Sequence, residues 1–155
     1  MWIRDAAPAD AGALADIFYS AVQIGAAEAY SQDQRDAWAG QQPTAEGWAK
    51  RLDGLLTLVA DAGNGPVGFM SMRMEDGYLD LAFVDPDHRG MGLSRDIYAV
   101  LENRARAAGL SRLTSHASHM AKPFFEREGW VNLGQNTIER GGITLENWVM
   151  EKTLG

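Results

Sequence analysis

The sequence predicts one mixed α/β (α+β) domain, with a mostly antiparallel central sheet flanked by helices and feeding a strand-helix-strand crossover. Three observations carry this. The chain has 155 residues, enough for one domain with a sizeable core and too few for two independent ones. Its apolar residues recur at helical spacing in the N-terminal segments and then change to short runs at strand spacing. A Gly-rich turn then joins one of those runs to a long amphipathic stretch, the order that a crossover unit requires. No repeat, low-complexity tract or linker divides the chain, so residues 1–155 read as a single domain.

Composition narrows the function classes. Apolar residues make up 46% and charged residues 23% of the chain, which suits a folded protein and not a disordered one. Fourteen Lys and Arg against 21 Asp and Glu give a net charge of −7, so neither nucleic acid nor an anionic membrane is an expected partner. The absence of cysteine removes disulfides, thiolate catalysis and Cys-ligated zinc. The histidines, His88, His116 and His119, have no metal-ligand spacing, and no metal is expected. The N-terminus lacks the pattern of a secretory signal, and no apolar run is long enough to span a bilayer. The expectation is a soluble cytoplasmic protein.

The elements follow in order. Residues 2–4 read as a short strand. Pro8 and Asp10 open a helix with Leu14, Ile17, Phe18 and Ala21 on one stripe, and Gly25 breaks it. Ser31 and Gln34 have the spacing of a capping box for a second helix running through Trp38. Thr44 caps a third, whose Trp48, Leu52 and Leu55 lie on one face. Leu56 to Asp61 and Val67 to Met74 form a hairpin about the turn at residues 62–66. Met70, Met72 and Met74 share a face there; core filling is the ordinary reading and an adaptable binding surface the other. Tyr78 to Val84 continues the meander, with Tyr78, Asp80, Ala82 and Val84 on one face and Leu79, Leu81 and Phe83 on a core face. A long helix carries Ile97, Leu101, Ala105 and Ala108 and stops at Gly109. Leu113 to Ala117 is the next strand, Pro123 begins a short helix closed by Gly129, and strands at Trp130 to Asn136 and Ile143 to Glu151 are joined by the turn at Arg140-Gly141-Gly142.

The chemistry concentrates in Arg89-Gly90-Met91-Gly92-Leu93-Ser94. Small residues let a ligand approach the backbone, and the first amides of a helix have no partner within it. Such an end attracts phosphate through its dipole and its N–H groups. Asp85 and Asp87 offset Arg89 and Arg95 nearby, so any affinity must come from local geometry. The turn lacks the Gly-Lys-Ser/Thr ending of a Walker loop and the third glycine of the dinucleotide fingerprint. Taken alone, the glycines fit a tight strand-to-helix turn equally well.

Its surroundings resemble the GCN5-related N-acetyltransferase family, whose acyl-CoA motif is Arg/Gln-x-x-Gly-x-Gly/Ala after a strand ending in Val-x-Pro. Here Val84-Asp85-Pro86 precedes Arg89-x-x-Gly92-x-Ser94. The likeness spans nearly the whole chain, from Ile3-Arg4 with Pro8 and Asp10, through the hairpins and motif helix, to Ser118-x-x-Ala121, Phe125 and Gly129-Trp130. It implies a splayed strand pair, Tyr78 to Val84 and Leu113 to Ala117, with the pantetheine arm of acetyl-CoA lying in the gap. Phe83 and Val84 would be the main-chain partners of that arm. The Val84 amide would polarise the acetyl carbonyl. Arg89, Gly90, Met91, Gly92, Leu93 and Ser94 would hold the pyrophosphate, and Ser94 stands where the family has Gly or Ala. Its hydroxyl would contact phosphate or cap the helix.

Many members protonate the departing sulfur with a Tyr about seven residues after an Asn; the matching positions here are Ser118 and Phe125. Phe cannot donate a proton. A thiol of pKa about 8.5 leaves as thiolate near neutral pH at a cost of about 2 kcal/mol, so Ser118 or water can stand in. Deprotonating an amine of pKa about 10.4 demands about 4 to 5 kcal/mol. Asp80 lies where members often place a carboxylate base, and reads as base, as anchor for the substrate ammonium, or as an ordinary strand residue. His116 suits proton relay or is a bystander, as is His119, and Tyr30 lines the acceptor side or packs in the core. The resemblance implies direct transfer from acetyl-CoA to a primary amine on a small molecule or peptide, and allows a homodimer through the C-terminal strands. The alternative is a non-catalytic acyl-CoA-binding sensor, motivated by Phe125 and Ser118.

Overall fold

The computed structural model describes residues 1–155. Seven strands form one sheet in the spatial order β1-β2-β3-β4-β5-β7-β6. They are β1 (Trp2–Asp5), β2 (Leu56–Asp61), β3 (Pro66–Arg73), β4 (Tyr78–Val84), β5 (Arg112–Ala117), β6 (Val131–Arg140) and β7 (Ile143–Thr153). Only β4 and β5 run parallel, because the helix α4 (Leu93–Ala107) carries the chain across between them. The other helices are α1 (Ala11–Ser20), α2 (Gln32–Ala39), α3 (Ala45–Leu52) and α5 (Ala121–Arg127). None of the helices is long and apolar enough to cross a membrane.

The sheet separates two layers. On one face Ile97, Leu101 and Ala105 of α4 pack against Leu58, Met70, Met72 and Leu79, with Phe125 and Trp130 completing the layer. The three methionines of β3 and its turn therefore fill core space. On the other face Leu14, Ile17 and Phe18 of α1 meet Trp48 of α3 and Val59, Phe69 and Leu81 of the sheet. Both capping residues act as their sequence positions require. Ser31 Oγ accepts from the Gln34 amide while the Gln34 side chain accepts from the Ser31 amide, and Thr44 Oγ1 accepts from the Gly47 amide.

The structure departs from simple periodicity in several places. The first helix continues beyond Ser20 as a π turn over Ala21–Gly25. Leu55 lies beyond the end of α3, outside its apolar stripe, and Ala108 is exposed at the end of α4. The last short helix begins at Ala121, two residues before Pro123. Its proline still falls in the first turn, where a missing N–H removes no helix bond. Trp130 is not in a strand; it is buried and its indole donates to Tyr98 Oη at 2.9 Å.

The most consequential departure lies in β4. Ser71 pairs with Leu81 but Met72 pairs with Leu79, leaving Asp80 as the extra residue of a β-bulge. The bulge breaks the two-residue alternation, so the expected common face of Leu79, Leu81 and Phe83 does not exist. Leu79, Ala82 and Val84 join the α4 layer, whereas Leu81 and Phe83 join the α1 layer.

Candidate acyl-CoA and acceptor site

β4 and β5 pair at only two positions, Tyr78 with Thr114 and Leu79 with Ser115. Beyond them the strands separate, while β4 stays paired to β3 as far as Val84 and Gly68. An open strand edge thus faces the gap. The Asp85 amide donates to the Val67 carbonyl at 2.9 Å, and the alternation of an antiparallel ladder puts Phe83 on that same β3 side. The main-chain groups turned into the gap are therefore those of Ala82 and Val84. This corrects the expectation that Phe83 would offer main-chain partners there. Its ring borders the gap instead, and Ala82 takes the place beside Val84.

The open edge leads directly into the Gly-rich turn. Gly92 is the N-cap of α4 with φ +77°, and Gly90 has the same φ. The left-handed region favours glycine at both positions. The amides of Arg89, Gly90, Met91, Gly92, Leu93, Ser94 and Arg95 donate to no group within the chain; the first helix bond here is the Asp96 amide to the Gly92 carbonyl. Ser94 does not cap the helix, which leaves its hydroxyl to the adjoining cavity. That cavity, of about 570 Å³, is bordered by Val84, Gly90, Gly92 and Ser94 and by Arg89, Arg95 and Arg127. The chain is acidic overall, yet this hollow gathers three arginines. The Arg89 guanidinium is engaged elsewhere, donating to the Gly25 carbonyl at 2.8 Å, so its contribution to the turn is its amide. The Met91 side chain is exposed and does not border this cavity.

A second cavity of about 460 Å³ lies at the other end of the gap. The two cavities share Ala82, Phe83, Ser118, Ala121, Phe125 and Trp38. Ser118 Oγ accepts from the Ala121 amide at 3.1 Å, which leaves its own proton free to donate. Phe125 is fully buried against Trp130 and fills core volume.

Asp80 and His116 both border the second cavity, and Ala82 and Ser118 border both cavities. Asp80 Oδ2 lies 2.7 Å from Arg51 Nη1. His116 Nδ1 lies 2.8 Å from Tyr78 Oη. Burial, and then the charge of Asp80, push the Tyr78 phenol up, with Arg73 and Arg51 opposing. Tyr30 borders the second cavity but is held structurally. Its hydroxyl donates to the Glu146 carbonyl at 2.9 Å and accepts from the His119 amide at 3.0 Å. His119 is stacked on Tyr30, its Nδ1 accepting from the Trp148 indole, and it borders neither cavity.

Several bordering residues carried no signal in the sequence: Arg51 and Trp38 from the N-terminal helices, and Asn136, Arg140 and Glu146 from β6 and β7. Nothing local marks them, because they reach the cavity only through long-range packing. Arg127 was hidden in the same way.

A splayed parallel strand pair with a free helix N-terminus at one end and a second cavity at the other makes a cleft shaped for an extended ligand that carries an anionic group. The chain belongs to the GNAT acetyltransferase family: the profile of the acetyltransferase (GNAT) domain matches residues 26–154. It is 37% identical over 148 residues to the uncharacterized N-acetyltransferase YafP of Escherichia coli (strain K12), covering 96% of this chain and 93% of that protein. It is 32% identical over 120 residues to the L-amino acid N-acyltransferase MnaT of the same organism, covering 70% of this chain and 65% of that one. A GCN5-related N-acetyltransferase from Rhodopseudomonas palustris superposes with a TM-score of 0.91 at 36% identity, covering 99% of this chain and 95% of that one. Solved structures of the same fold include complexes with acetyl-CoA.

Proposed function

We propose that the protein transfers an acetyl group from acetyl-CoA to a primary amine by direct attack while both substrates are bound. The observation that carries this is the continuity of the free β4 edge at Ala82 and Val84 with the unpartnered amides from Arg89 to Arg95. Those amides suit a diphosphate, and the strand edge suits the amide groups of a pantetheine arm.

The reacting carbonyl has to lie where the cavities meet, and this favours the Ala82 amide over that of Val84 as the donor to the developing oxyanion. The amine nitrogen attacks the thioester carbon, the C–S bond breaks, and the electron pair leaves on sulfur. Ser118 borders both cavities with Ala82, and its hydroxyl can hydrogen-bond the departing thiolate. The proton lost by the amine passes toward Asp80 or His116, which both border the second cavity, or to water. No covalent enzyme intermediate is needed.

The test is calorimetry with acetyl-CoA followed by thiol release with a panel of primary amines, in which the relative named for L-amino acids makes free amino acids one arm. Binding with turnover is the expected result. Binding with no turnover on any amine would turn the reading into an acyl-CoA-binding sensor, consistent with Phe125 in place of a proton donor. Failure to bind acetyl-CoA would overturn the reading altogether.

A further inference from the structure

The second cavity carries information about the acceptor beyond its being an amine. Its bordering charges cancel: Arg51 and Arg140 stand against Asp80 and Glu146. Arg51 and Asp80 form a pair at 2.7 Å, and Asp80 shares β4 with Ala82. Arg51 makes no other polar contact in the chain, so most of its planar fork of donors is unspent. It follows Trp48 by three residues on α3, and both side chains border the cavity. Arg140, the other cation there, donates only a long bond of 3.4 Å to the Trp38 carbonyl.

A simple cationic amine fits this arrangement poorly. To approach Asp80 it must share one carboxylate with Arg51, which places two positive charges side by side. An amine that carries its own carboxylate two bonds away avoids the conflict. Its ammonium faces Asp80 while its carboxylate faces Arg51, so the acceptor's charge pair lies against the protein's pair in the opposite sense. Each cation then has two anionic neighbours and the cavity keeps its neutral balance. The rest of the wall is aromatic, with Phe18, Trp38, Trp48, Tyr78 and Phe83 among the bordering residues, and Phe18 stacks on Trp48 with ring centroids 4.7 Å apart. Such a wall favours a flat or bulky apolar group over a polar chain.

We propose that the acceptor is a free α-amino acid with an aromatic or large apolar side chain, its carboxylate read by Arg51 and its amine presented at Asp80. This rests on the acetyl-transfer reading and adds the acceptor's chemistry to it. The deprotonated amine attacks the thioester carbon, and the products are the N-acetyl amino acid and CoA.

The experiment compares matched acceptors on the intact chain with acetyl-CoA and thiol detection: L-phenylalanine against phenethylamine and L-phenylalanine amide, and L-tryptophan against tryptamine. The carboxylates are expected to be preferred in kcat/KM by about tenfold or more, as for a site whose polar groups are left unpaired by the analogue. Arg51→Met is expected to abolish that preference, lowering the amino acids by more than phenethylamine, with Arg51→Lys intermediate because it keeps the charge and loses the fork. Equal use of phenylalanine, its amide and phenethylamine overturns the proposal. So does an Arg51→Met loss of the same size on every acceptor, or an absence of turnover on all five acceptors while acetyl-CoA binds. Failure of acetyl-CoA to bind the wild-type chain in calorimetry is the separate result that removes the acetyl-transfer reading as well.

Discussion

Tyr78 Oη and His116 Nδ1 lie 2.8 Å apart across the position where β4 and β5 last run side by side. The contact joins the two strands just before they part and places both side chains on the wall of the second cavity. His116 is exposed, whereas Tyr78 is partly covered, so the imidazole connects the cavity to solvent. Burial keeps the phenol protonated, and Tyr78 enters the contact as a neutral hydroxyl.

This relationship predicts a loss in turnover without a loss in cofactor affinity. Tyr78→Phe and His116→Gln should each lower kcat by about tenfold to a hundredfold, the lower range of general acid–base effects. The dissociation constant for acetyl-CoA should not move. Steady-state kinetics with calorimetry separates the two; a parallel loss of acetyl-CoA binding would assign the pair a structural role.

Gly92 makes the turn into α4 possible, and on the proposed reading its replacement should weaken acetyl-CoA binding. Its φ is +77°, and an added Cβ would lie 3.0 Å from the Arg95 guanidinium. Gly92→Ala forces a left-handed alanine at a cost of about 1 to 2 kcal/mol, and relief by rotation re-aims the amides of Leu93 and Ser94. The dissociation constant for acetyl-CoA should rise about tenfold or more. An unchanged constant would mean that these amides do not meet the diphosphate.

Stability should depend on Arg4. Asp10 accepts from Arg4 Nη1 and Nη2 at 2.7 and 2.9 Å and from the Ala7 amide at 2.7 Å. Asp61 accepts from the Gly63 amide and from Arg4 Nε. The Arg4 bond holds the Asp10 carboxyl below its ordinary range, and the Gly63 amide, with Arg4 next among the partners, does the same for Asp61. A carboxyl lowered in the folded state stabilises fully above its unfolded pKa of about 3.9 and loses that contribution as pH falls through the folded value. The melting temperature should therefore drop as the medium is acidified below about pH 4. Asp10→Asn should be less stable by about 2 kcal/mol at neutral pH and should show a shallower acid limb in thermal melts.

A buried chain of polar groups ties α4 to the sheet. The Trp130 indole donates to Tyr98 Oη at 2.9 Å, Tyr98 donates to Glu102 at 2.7 Å, and Lys152 lies 2.7 Å from Glu102. Tyr98→Phe leaves the buried indole N–H without an acceptor and should destabilise the fold by about 1 to 3 kcal/mol in chemical denaturation. Tyr98 borders neither cavity, so acetyl-CoA affinity should persist.

Local order along the chain was readable from residue pattern alone. The capping pair Ser31 and Gln34, the stripe of Leu14, Ile17 and Phe18, the β4 limits at Tyr78 and Val84, and the Gly-rich entry to α4 depend on neighbours within a few residues, and such short-range preferences are written directly in the sequence. The turn from Arg89 to Ser94 belongs to this group because a helix start creates its own unpartnered amides. Three-dimensional packing alone determined the rest. The bulge at Asp80 arises from the pairing of β4 with β3 and cancels the alternation that its sequence suggests. The exchange of Phe83 for Ala82 at the gap follows from the same register. Arg51 meets Asp80 because the layer of α1 and α3 covers that side of the sheet. Those contacts join residues far apart in sequence, and their geometry is set by the sheet's register and the closing of its layers, which no single segment encodes.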